Sequence, residues 1–187
     1  MHYLNLIILF TLAFSFQSLA KDMTTSSAKV KGADKADVSL QEKTIEAGIS
    51  LSNTSYPDDS SNFYLDSTYR YFVADFLSLG VILTYSSYED PEFDTKSSST
   101  GFGPTVNYYF YTINQFAFSF GHDIVSVQQN FESNYSESED DSYLYTRTYL
   151  QGDYFFTRNI SLGLSYNVVE SDDFNNNTIN TKFKYYF

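Results

Sequence analysis

Apolar and polar residues alternate along most of this chain, and the alternation is clearest in the last ten residues. There Phe183, Tyr185 and Phe187 occupy every second position, with Lys182 and Lys184 between them. A period of two predicts a β-strand whose two faces differ. Because one face is aromatic and the other carries two lysines, this strand cannot lie in a core with both faces buried. Its aromatic face must contact an apolar environment outside the chain's own core, and a lipid bilayer provides one.

The same alternation predicts eight strands, at about 44–53, 63–73, 77–88, 100–111, from 116 onward, 143–156, 160–169 and 178–187. Two of them depart from the pattern. Pro104 lies on the outer face of the fourth strand, although proline cannot donate a ladder hydrogen bond. The fifth strand begins with Phe116, Phe118 and Phe120 on one face but loses its phase near 121–124. This loss predicts a β-bulge or an early end of strand pairing there.

Two segments at strand ends repeat each other. The residues 71–80 (YFVADFLSLG) and 154–163 (YFFTRNISLG) are identical at five of ten positions, and each reads as a strand end, a short turn and a strand start. Short turns at one end and long polar insertions at the other are the arrangement of bacterial outer-membrane barrels. Over roughly 44–187 the chain resembles the OmpA/OmpX-type barrel superfamily of Gram-negative bacteria. The resemblance implies an all-β fold, an eight-stranded antiparallel up-and-down transmembrane β-barrel in the outer membrane.

The C-terminal strand also carries a candidate assembly signal. Its alternating aromatic residues Phe183, Tyr185 and Phe187 resemble the terminal signal of Gram-negative outer-membrane proteins, which the barrel-assembly machinery recognises. The resemblance implies two partners for this chain, the lipid of the outer membrane and that machinery.

The first 43 residues lack the alternation of the strands, and their composition indicates two segments, a signal peptide and a tail. Residues 1–20 contain an apolar stretch at 6–16 followed by Ser18-Leu19-Ala20, which fits the helix and cleavage site of a signal peptide, although the segment before the stretch has only His2 and no Lys or Arg. Residues 21–43 are rich in Lys, Asp, Ser, Thr and Ala and have no apolar period. They predict a disordered periplasmic tail, with a short amphipathic helix as the alternative. The barrel domain is then 44–187.

Composition narrows the class of protein. The chain has 187 residues, the size of about one domain, with 18 Tyr, 18 Phe, no Cys and a formal net charge of −12. Beyond the first twenty positions it has no apolar run of the roughly 20 residues that a membrane helix needs. The strands of a soluble β-sandwich or lipocalin-like barrel would also alternate between apolar and polar residues, but its closed core could not pack this many aromatic rings. The negative charge disfavours nucleic acid as a partner, since phosphate contacts need clustered Lys and Arg.

The inward positions of the predicted strands carry both signs of charge. They form a candidate polar network in the lumen that consists of Glu46, Asp66, Arg70, Arg147, Asp153, Lys182 and Lys184. The interior of an eight-stranded barrel is just wide enough to be filled by side chains. Ion pairs that fill the lumen are therefore the expected arrangement, and a selective channel is the alternative.

The four polar insertions, at 54–61, 89–98, 128–142 and 170–177, are strongly acidic. They contain fourteen acids and one base, Lys96; the acids are Asp58, Asp59, Glu89, Asp90, Glu92, Asp94, Glu132, Glu137, Glu139, Asp140, Asp141, Glu170, Asp172 and Asp173. Such a rim attracts cations or a basic partner. Clustered carboxylates could bind divalent cations, but no D-x-[DN]-x-[DN]-G loop is present, so a solvated rim is favoured over a defined metal site. Nothing in the sequence indicates a cofactor.

One group of residues invites comparison with a catalytic site. The outer-membrane deacylases and acyltransferases of lipid A use a His with a Ser, and here His122, Asp123 and Ser126 lie close together in the fifth strand. Nucleophilic catalysis needs the base within hydrogen-bond reach of the hydroxyl. Residues four apart on a strand are about 13 Å apart, so this pair would need a sharp bulge, and the sequence predicts no enzyme.

Together these patterns predict a small outer-membrane barrel whose acidic extracellular loops have a structural or interaction role at the cell surface. The alternative is a narrow channel or transporter for small or apolar solutes. A plugged lumen with ordered, protruding strands would favour the first role. A lumen continuous with water, or a lateral opening in the wall, would favour the second.

The assembly signal gives a first testable prediction. Replacing Phe187 by Asp places a charge on the lipid-facing side of the terminal strand, so the yield of heat-modifiable folded barrel should fall several-fold. The matched control is Glu170→Gln, which changes a solvated loop acid and should leave the yield unchanged. Equal yields from Phe187→Asp and the unmodified chain would show that the terminal aromatic residue has no part in assembly.

Overall fold

The computed structural model describes residues 40–55, 60–91, 95–133, 136–172 and 175–187. The predicted signal peptide and the predicted tail up to residue 39 lie outside the described residues. No helix in the described part of the chain is long and apolar enough to cross a membrane.

Eight antiparallel strands form a closed barrel in sequence order. Their bounds are β1 Ile45–Ser55, β2 Ser61–Ala74, β3 Leu77–Asp90, β4 Thr95–Ile113, β5 Phe116–Ser133, β6 Ser136–Phe155, β7 Ile160–Ser171 and β8 Asn175–Tyr186. Each strand pairs with its neighbours in sequence, and β8 pairs with β1. The predicted up-and-down topology is confirmed. We call the end with the short β2–β3, β4–β5 and β6–β7 connections the turn end, and the opposite end the loop end.

Large apolar side chains cover the outer wall of the barrel. The exposed ones include Ile49, Leu79, Leu83, Phe102, Phe118, Leu150, Leu164 and Phe183. Aromatic pairs lie at both ends of this belt. Phe116 and Tyr154 are 5.1 Å apart between ring centroids near the turn end, and Phe63 and Tyr85 are 6.3 Å apart towards the loop end. An apolar wall with aromatic girdles and a charged interior is the arrangement of a transmembrane barrel, and a soluble barrel would have the reverse.

Several strands continue further towards the loop end than the alternation predicted. β4 begins at Thr95, β5 ends at Ser133 and β6 begins at Ser136, so most of the predicted insertion 128–142 is paired strand. The physical reason is that both faces of a strand meet water above the apolar belt. Polar residues can then occupy both faces, and the sequence loses its alternation although the backbone pairing continues.

The bulge predicted in β5 is absent, and this expectation was wrong. β5 keeps one register with β6 through 121–124, from Phe116↔Tyr154 to Phe131↔Glu139. The register shifts of β4 and β5 lie elsewhere, between Tyr109 and Tyr111 in β4 and between Phe131 and Ser133 in β5. The sequence appeared to lose its phase because β5 has apolar residues, Val125 and Val127, on its inner face, where both are buried.

Pro104 is accommodated without breaking β4. It faces outward, and the β4–β5 register has no pairs at Gly103 and Pro104 while resuming in phase on either side. Proline has no amide to donate to the ladder. The two backbones approach closely here, since a Cβ at Gly103 would overlap the carbonyl of Ile124, and so only glycine fits.

A hydrophobic cluster closes the turn end of the lumen. It consists of Leu40, Phe72, Tyr109, Ala117, Phe155 and Tyr186. Leu40 precedes β1 and is fully buried, and its carbonyl accepts a 2.7 Å hydrogen bond from the amide of Phe76 in the β2–β3 turn. The amide of Lys43 donates to the carbonyl of Phe72 at 2.9 Å. Residues 40–43, which the sequence analysis assigned to the tail, therefore pack beneath the barrel.

The closure between β1 and β8 is the shortest junction in the barrel. Its ladder has four pairs, from Glu46↔Tyr186 to Ile49↔Phe183, whereas every other junction of described residues has at least eleven. Two backbone hydrogen bonds between Ile45 and Phe187, of 3.3 and 2.9 Å, extend it at the turn end. The wall is thus closed at the turn end and only partly paired above it.

Candidate functional site in the barrel lumen

All seven residues assigned to the lumen network point into the lumen, and each is at most 5% exposed. They are Glu46 on β1, Asp66 and Arg70 on β2, Arg147 and Asp153 on β6, and Lys182 and Lys184 on β8. The structure adds an eighth, Asp123 on β5, which is fully buried. Sequence reasoning missed Asp123 because it assumed that β5 lost its phase. Extending the alternation of Phe116, Phe118 and Phe120 without a break would have found it.

The half of the network nearer the loop end is centred on Arg147. Its Nη1 lies 2.5 Å from the carboxylate of Asp66, and its Nη2 lies 2.6 Å from that of Asp123. Lys182 approaches the other oxygen of Asp66 at 3.4 Å. Arg147 therefore joins β6 to both β2 and β5, and Lys182 adds β8. A guanidinium that bonds two carboxylates uses its fork geometry fully and leaves little charge unpaired.

The half nearer the turn end is built on Glu46. Arg70 Nη1 donates to it at 2.7 Å, and Lys184 lies 3.6 Å from its other oxygen. Lys184 also donates to Asp153 at 3.1 Å. Arg70 Nη2 is 4.0 Å from Asp123, which connects the two halves. The lumen thus holds four cations and four anions in one continuous, balanced network.

Tyrosines fill the space between the charges. Tyr109 donates to Glu46 at 2.8 Å and accepts from Lys184 at 2.8 Å. Tyr149 accepts from Arg70 at 2.7 Å, and its ring lies 5.8 Å from that guanidinium. A Cβ at Gly121 would overlap the Tyr149 phenol, so the missing side chain makes room for the ring. The sequence analysis did not identify Tyr109 as a network residue, because it chose the network from charged side chains alone.

A second hydrophobic cluster lies beside and above Arg147. It consists of Ile82, Val125, Val127 and Tyr145, with Tyr143 and Val169 packed against it. Together with the cluster at the turn end, it brackets the ionic network along the lumen. Because the charged side chains between the clusters are buried, this section of the barrel is filled by protein atoms.

A cavity of about 400 Å³ occupies the lumen above this filled section, towards the loop end. All eight strands contribute to its wall. The lining consists of Ser52, Asn62, Tyr64, Thr84, Ser86, Ser99, Val127, Tyr143, Tyr145, Arg147, Val169, Asn176, Thr178 and Asn180. Arg147 is the one charged residue among them, and its guanidinium is held by Asp66 and Asp123. The cavity is therefore lined by hydroxyl, amide and phenol groups over a neutralised floor.

The acidic rim is described in part. Five of its fourteen acids have described side chains, namely Glu89, Asp90, Asp141, Glu170 and Asp172, and the other nine side chains lie outside the described part of the chain. Lys96 pairs with Glu89 at 3.3 Å, and both are exposed. Among the described residues, no group of three or more His, Cys, Asp or Glu could hold a metal ion. The preference for a solvated rim over a defined metal site stays a prediction.

Solved structures with the same architecture support the assignment of the fold. Neither a protein-family model nor a curated protein matches the sequence. The structure is similar to the N-terminal β-barrel domain of Pseudomonas aeruginosa OprF, with a TM-score of 0.58 and 13% identity over 78% of this chain and 98% of that chain. It is also similar to the outer membrane protein OprG from Pseudomonas aeruginosa, with a TM-score of 0.57 and 12% identity over 80% and 98%. Neisserial surface protein A matches with a TM-score of 0.53 and 15% identity over 77% and 96%.

The fold is the eight-stranded up-and-down barrel that these outer-membrane proteins have. This agrees with the resemblance drawn from the strand alternation and the repeated turns.

In this barrel, the residues compared with a catalytic site are separated by the wall. His122 and Ser126 lie on the outer face of β5, whereas Asp123 lies in the lumen. Nδ1 of His122 is 2.9 Å from the hydroxyl of Thr148 on β6. An orienting carboxylate on the opposite side of the sheet cannot complete a triad with the other two, so this arrangement does not supply nucleophilic chemistry.

The residues of the predicted assembly signal lie on the outer side of the last strand. Phe183 and Tyr185 are on the outer face of β8, and Phe187 directly follows the strand. Phe183, Tyr185 and Phe187 are all exposed, and the last two rings meet edge to face at 4.7 Å between centroids. Their recognition by the barrel-assembly machinery stays a prediction.

The network gives a second testable prediction. Arg147→Leu leaves Asp66 and Asp123 buried without their shared partner, and breaking a buried pair typically costs about 3–5 kcal/mol. The urea concentration that unfolds half of the barrel, read from the heat-modifiable band on gels, should therefore fall markedly. The matched control is Lys96→Leu, which breaks the exposed pair with Glu89 and should cost less than about 1 kcal/mol. Equal midpoints for the two variants would mean that the lumen pairs do not stabilise the barrel.

Proposed function

We propose that this protein is a closed barrel of the bacterial outer membrane that presents an acidic surface outside the cell, with a structural or interaction role. The filled lumen is the observation that carries this proposal. Four cations and four anions, bracketed by two hydrophobic clusters, occupy the space through which a solute would pass along the barrel axis. A barrel filled in this way has its accessible chemistry at its ends and not along a pore.

The orientation follows from the topology. An even number of strands puts both ends of the barrel chain on the same side, and outer-membrane barrels have short turns on the periplasmic side and longer loops outside. The turn end, with Leu40 beneath it, is therefore assigned to the periplasm. The loop end, with the acidic rim, is assigned to the exterior.

Ordered strands that project from the loop end support an interaction role. β6 begins at Ser136, but its pairing with β7 begins only at Tyr145↔Ser171. The intervening residues of β6 pair with β5 alone, so the β5–β6 hairpin stands above the β7–β8 hairpin. The sequence of this hairpin is acidic and Asp141 is exposed on it, so it can attract a basic partner or divalent cations.

The filled lumen gives a third testable prediction. In planar-bilayer recordings the folded barrel should show no stable, porin-sized current steps, because side chains occupy the cross-section. The control is the same preparation after heat denaturation, which reports the background of disordered protein. Stable porin-sized steps from the folded barrel alone would contradict the closed lumen.

The rim gives a fourth testable prediction. Proteoliposomes carrying the barrel should bind a decalysine peptide, and the affinity should fall several-fold when the five described rim acids become their amides. Raising the salt to about 1 M should also weaken binding, because the Debye length shrinks to about 3 Å. Glu42→Gln, at the turn end, is the matched control and should bind as the unmodified chain does. Unchanged binding after loss of the five acids would exclude the described rim as the interaction surface.

One observation supports the alternative role, passage of small or apolar solutes. The β1–β8 junction is paired over four positions only, so the wall is least held together there, whereas side chains fill the route along the axis.

A further inference from the structure

Above Ile49↔Phe183 the β1–β8 junction has no ladder pairs, and we call this unpaired part of the wall the seam. It lies between Ser50–Ser55 of β1 and residues 177–182 of β8. Continuing the register of Ile49↔Phe183 would bring Ser52 opposite Asn180, but the ladder stops at Ile49. Ser52 faces the lumen and is nevertheless exposed, as expected where the adjacent strand does not cover it.

Aromatic residues on the flanking strands place the seam at the level of the membrane interface. Asn53 pairs with Phe63 on β2, and Ile179 pairs with Tyr166 on β7. Both aromatic side chains point outward and are exposed. Such residues mark the headgroup level of a bilayer. Backbone groups left unpaired in hydrocarbon are strongly unfavourable, whereas at the headgroup level polar partners can reach them.

The seam leads directly into the cavity at the loop end. Ser52 of β1 and Thr178 and Asn180 of β8 belong to both. The cavity volume of about 400 Å³ lies within the range of about 300–1,000 Å³ that small-molecule sites have. The pocket therefore borders the unpaired stretch of the wall as well as the loop end.

The lining of the pocket selects for an uncharged group with many hydroxyls. Its serines, threonines and asparagines both donate and accept hydrogen bonds, and its one guanidinium is already held by Asp66 and Asp123. An anionic ligand would find no free cation there and would have to pass the acidic rim. Tyr64, Tyr143 and Tyr145 add aromatic surface, against which the C–H groups of a sugar ring can pack.

The outside of the seam is apolar. Leu51 on β1 is 60% exposed and Ile179 on β8 is 71% exposed, and both point towards lipid on either side of the seam. A molecule that spans the seam therefore meets polar groups inside and apolar side chains outside.

From these features together we propose that the pocket binds an amphiphile whose neutral, hydroxyl-rich headgroup lies in the cavity. Its hydrocarbon chain passes through the seam between Leu51 and Ile179 into the lipid. A free sugar from the medium would share the headgroup chemistry but would use the entrance at the loop end. The chain contact at the seam distinguishes the two sources.

The open seam can be tested by disulfide cross-linking, because the chain has no native cysteine. The pair Ser52→Cys/Asn180→Cys spans the seam, and Ser99→Cys/Gln129→Cys spans the paired β4–β5 junction as the matched control. A disulfide needs Cα atoms within about 7 Å. In lipid nanodiscs the control pair should oxidise at least tenfold faster than the seam pair. Equal rates would show that the seam is closed and would overturn the proposal.

Binding is tested with a dodecyl maltoside that carries a photoreactive diazirine in its chain. In nanodiscs containing the barrel, we expect cross-links to peptides that contain Leu51 and Ile179, and competition by excess dodecyl maltoside. Maltose and dodecyl sulfate should compete at least tenfold less well. Equal competition by maltose would show that the chain contributes nothing, and equal competition by dodecyl sulfate would show that the neutral headgroup is not selected. Either result would overturn the proposal.

Two variants connect the binding to the pocket. Asn180→Leu removes an amide and fills the inner side of the seam, and Thr178→Val removes one hydroxyl at nearly constant volume. Each should reduce cross-linking, Asn180→Leu at least tenfold and Thr178→Val several-fold. Ser126→Leu on the outer face of β5 is the control and should cross-link as the unmodified chain does. If Thr178→Val and a folded Asn180→Leu both cross-link normally, the pocket is not the site.

Discussion

Charge pairing across the lumen is the constraint on which the rest of this structure depends. Side chains fill the middle section of this eight-stranded barrel, so each charged group buried there needs a partner of opposite sign. Arg147 pairs with Asp66 and Asp123, and Arg70 pairs with Glu46 and lies 4.0 Å from Asp123. These bonds join β1, β2, β5 and β6 across the interior. They therefore fix the relative position of strands that share no turn.

In the wall, the backbone N–H and C=O groups must hydrogen-bond to neighbouring strands, because hydrocarbon offers them no partner. Seven junctions between strands meet this requirement along long ladders, and the β1–β8 junction meets it only near the turn end. The ionic network and the Leu40 cluster also lie towards that end. The closure of the wall and the buried ion pairs thus lie in one half of the barrel. The other half keeps a cavity, an incompletely paired seam and the projecting β5–β6 hairpin, the features to which a binding role can be assigned.

The sequence alone determined which face of each strand is inside. Side chains alternate across a strand with a period of two, which is a local property of the backbone, so an apolar outer face assigns the charged residues between to the lumen. This reasoning located Arg70, Arg147 and the two lysines of β8, and it gave the number of strands. It failed at Asp123, because Val125 and Val127 are apolar residues that pack inside the barrel and obscured the alternation.

Only the tertiary structure decided how far the strands continue and how the barrel closes. Above the membrane both faces of a strand meet water, so the residues of the β5–β6 hairpin carry no pattern that distinguishes paired strand from loop. The packing of Leu40 beneath the lumen and the end of the β1–β8 ladder at Ile49 depend on contacts between residues far apart in sequence. The stagger of all eight strands around the barrel sets those contacts, and the alternation within a single strand does not determine that stagger.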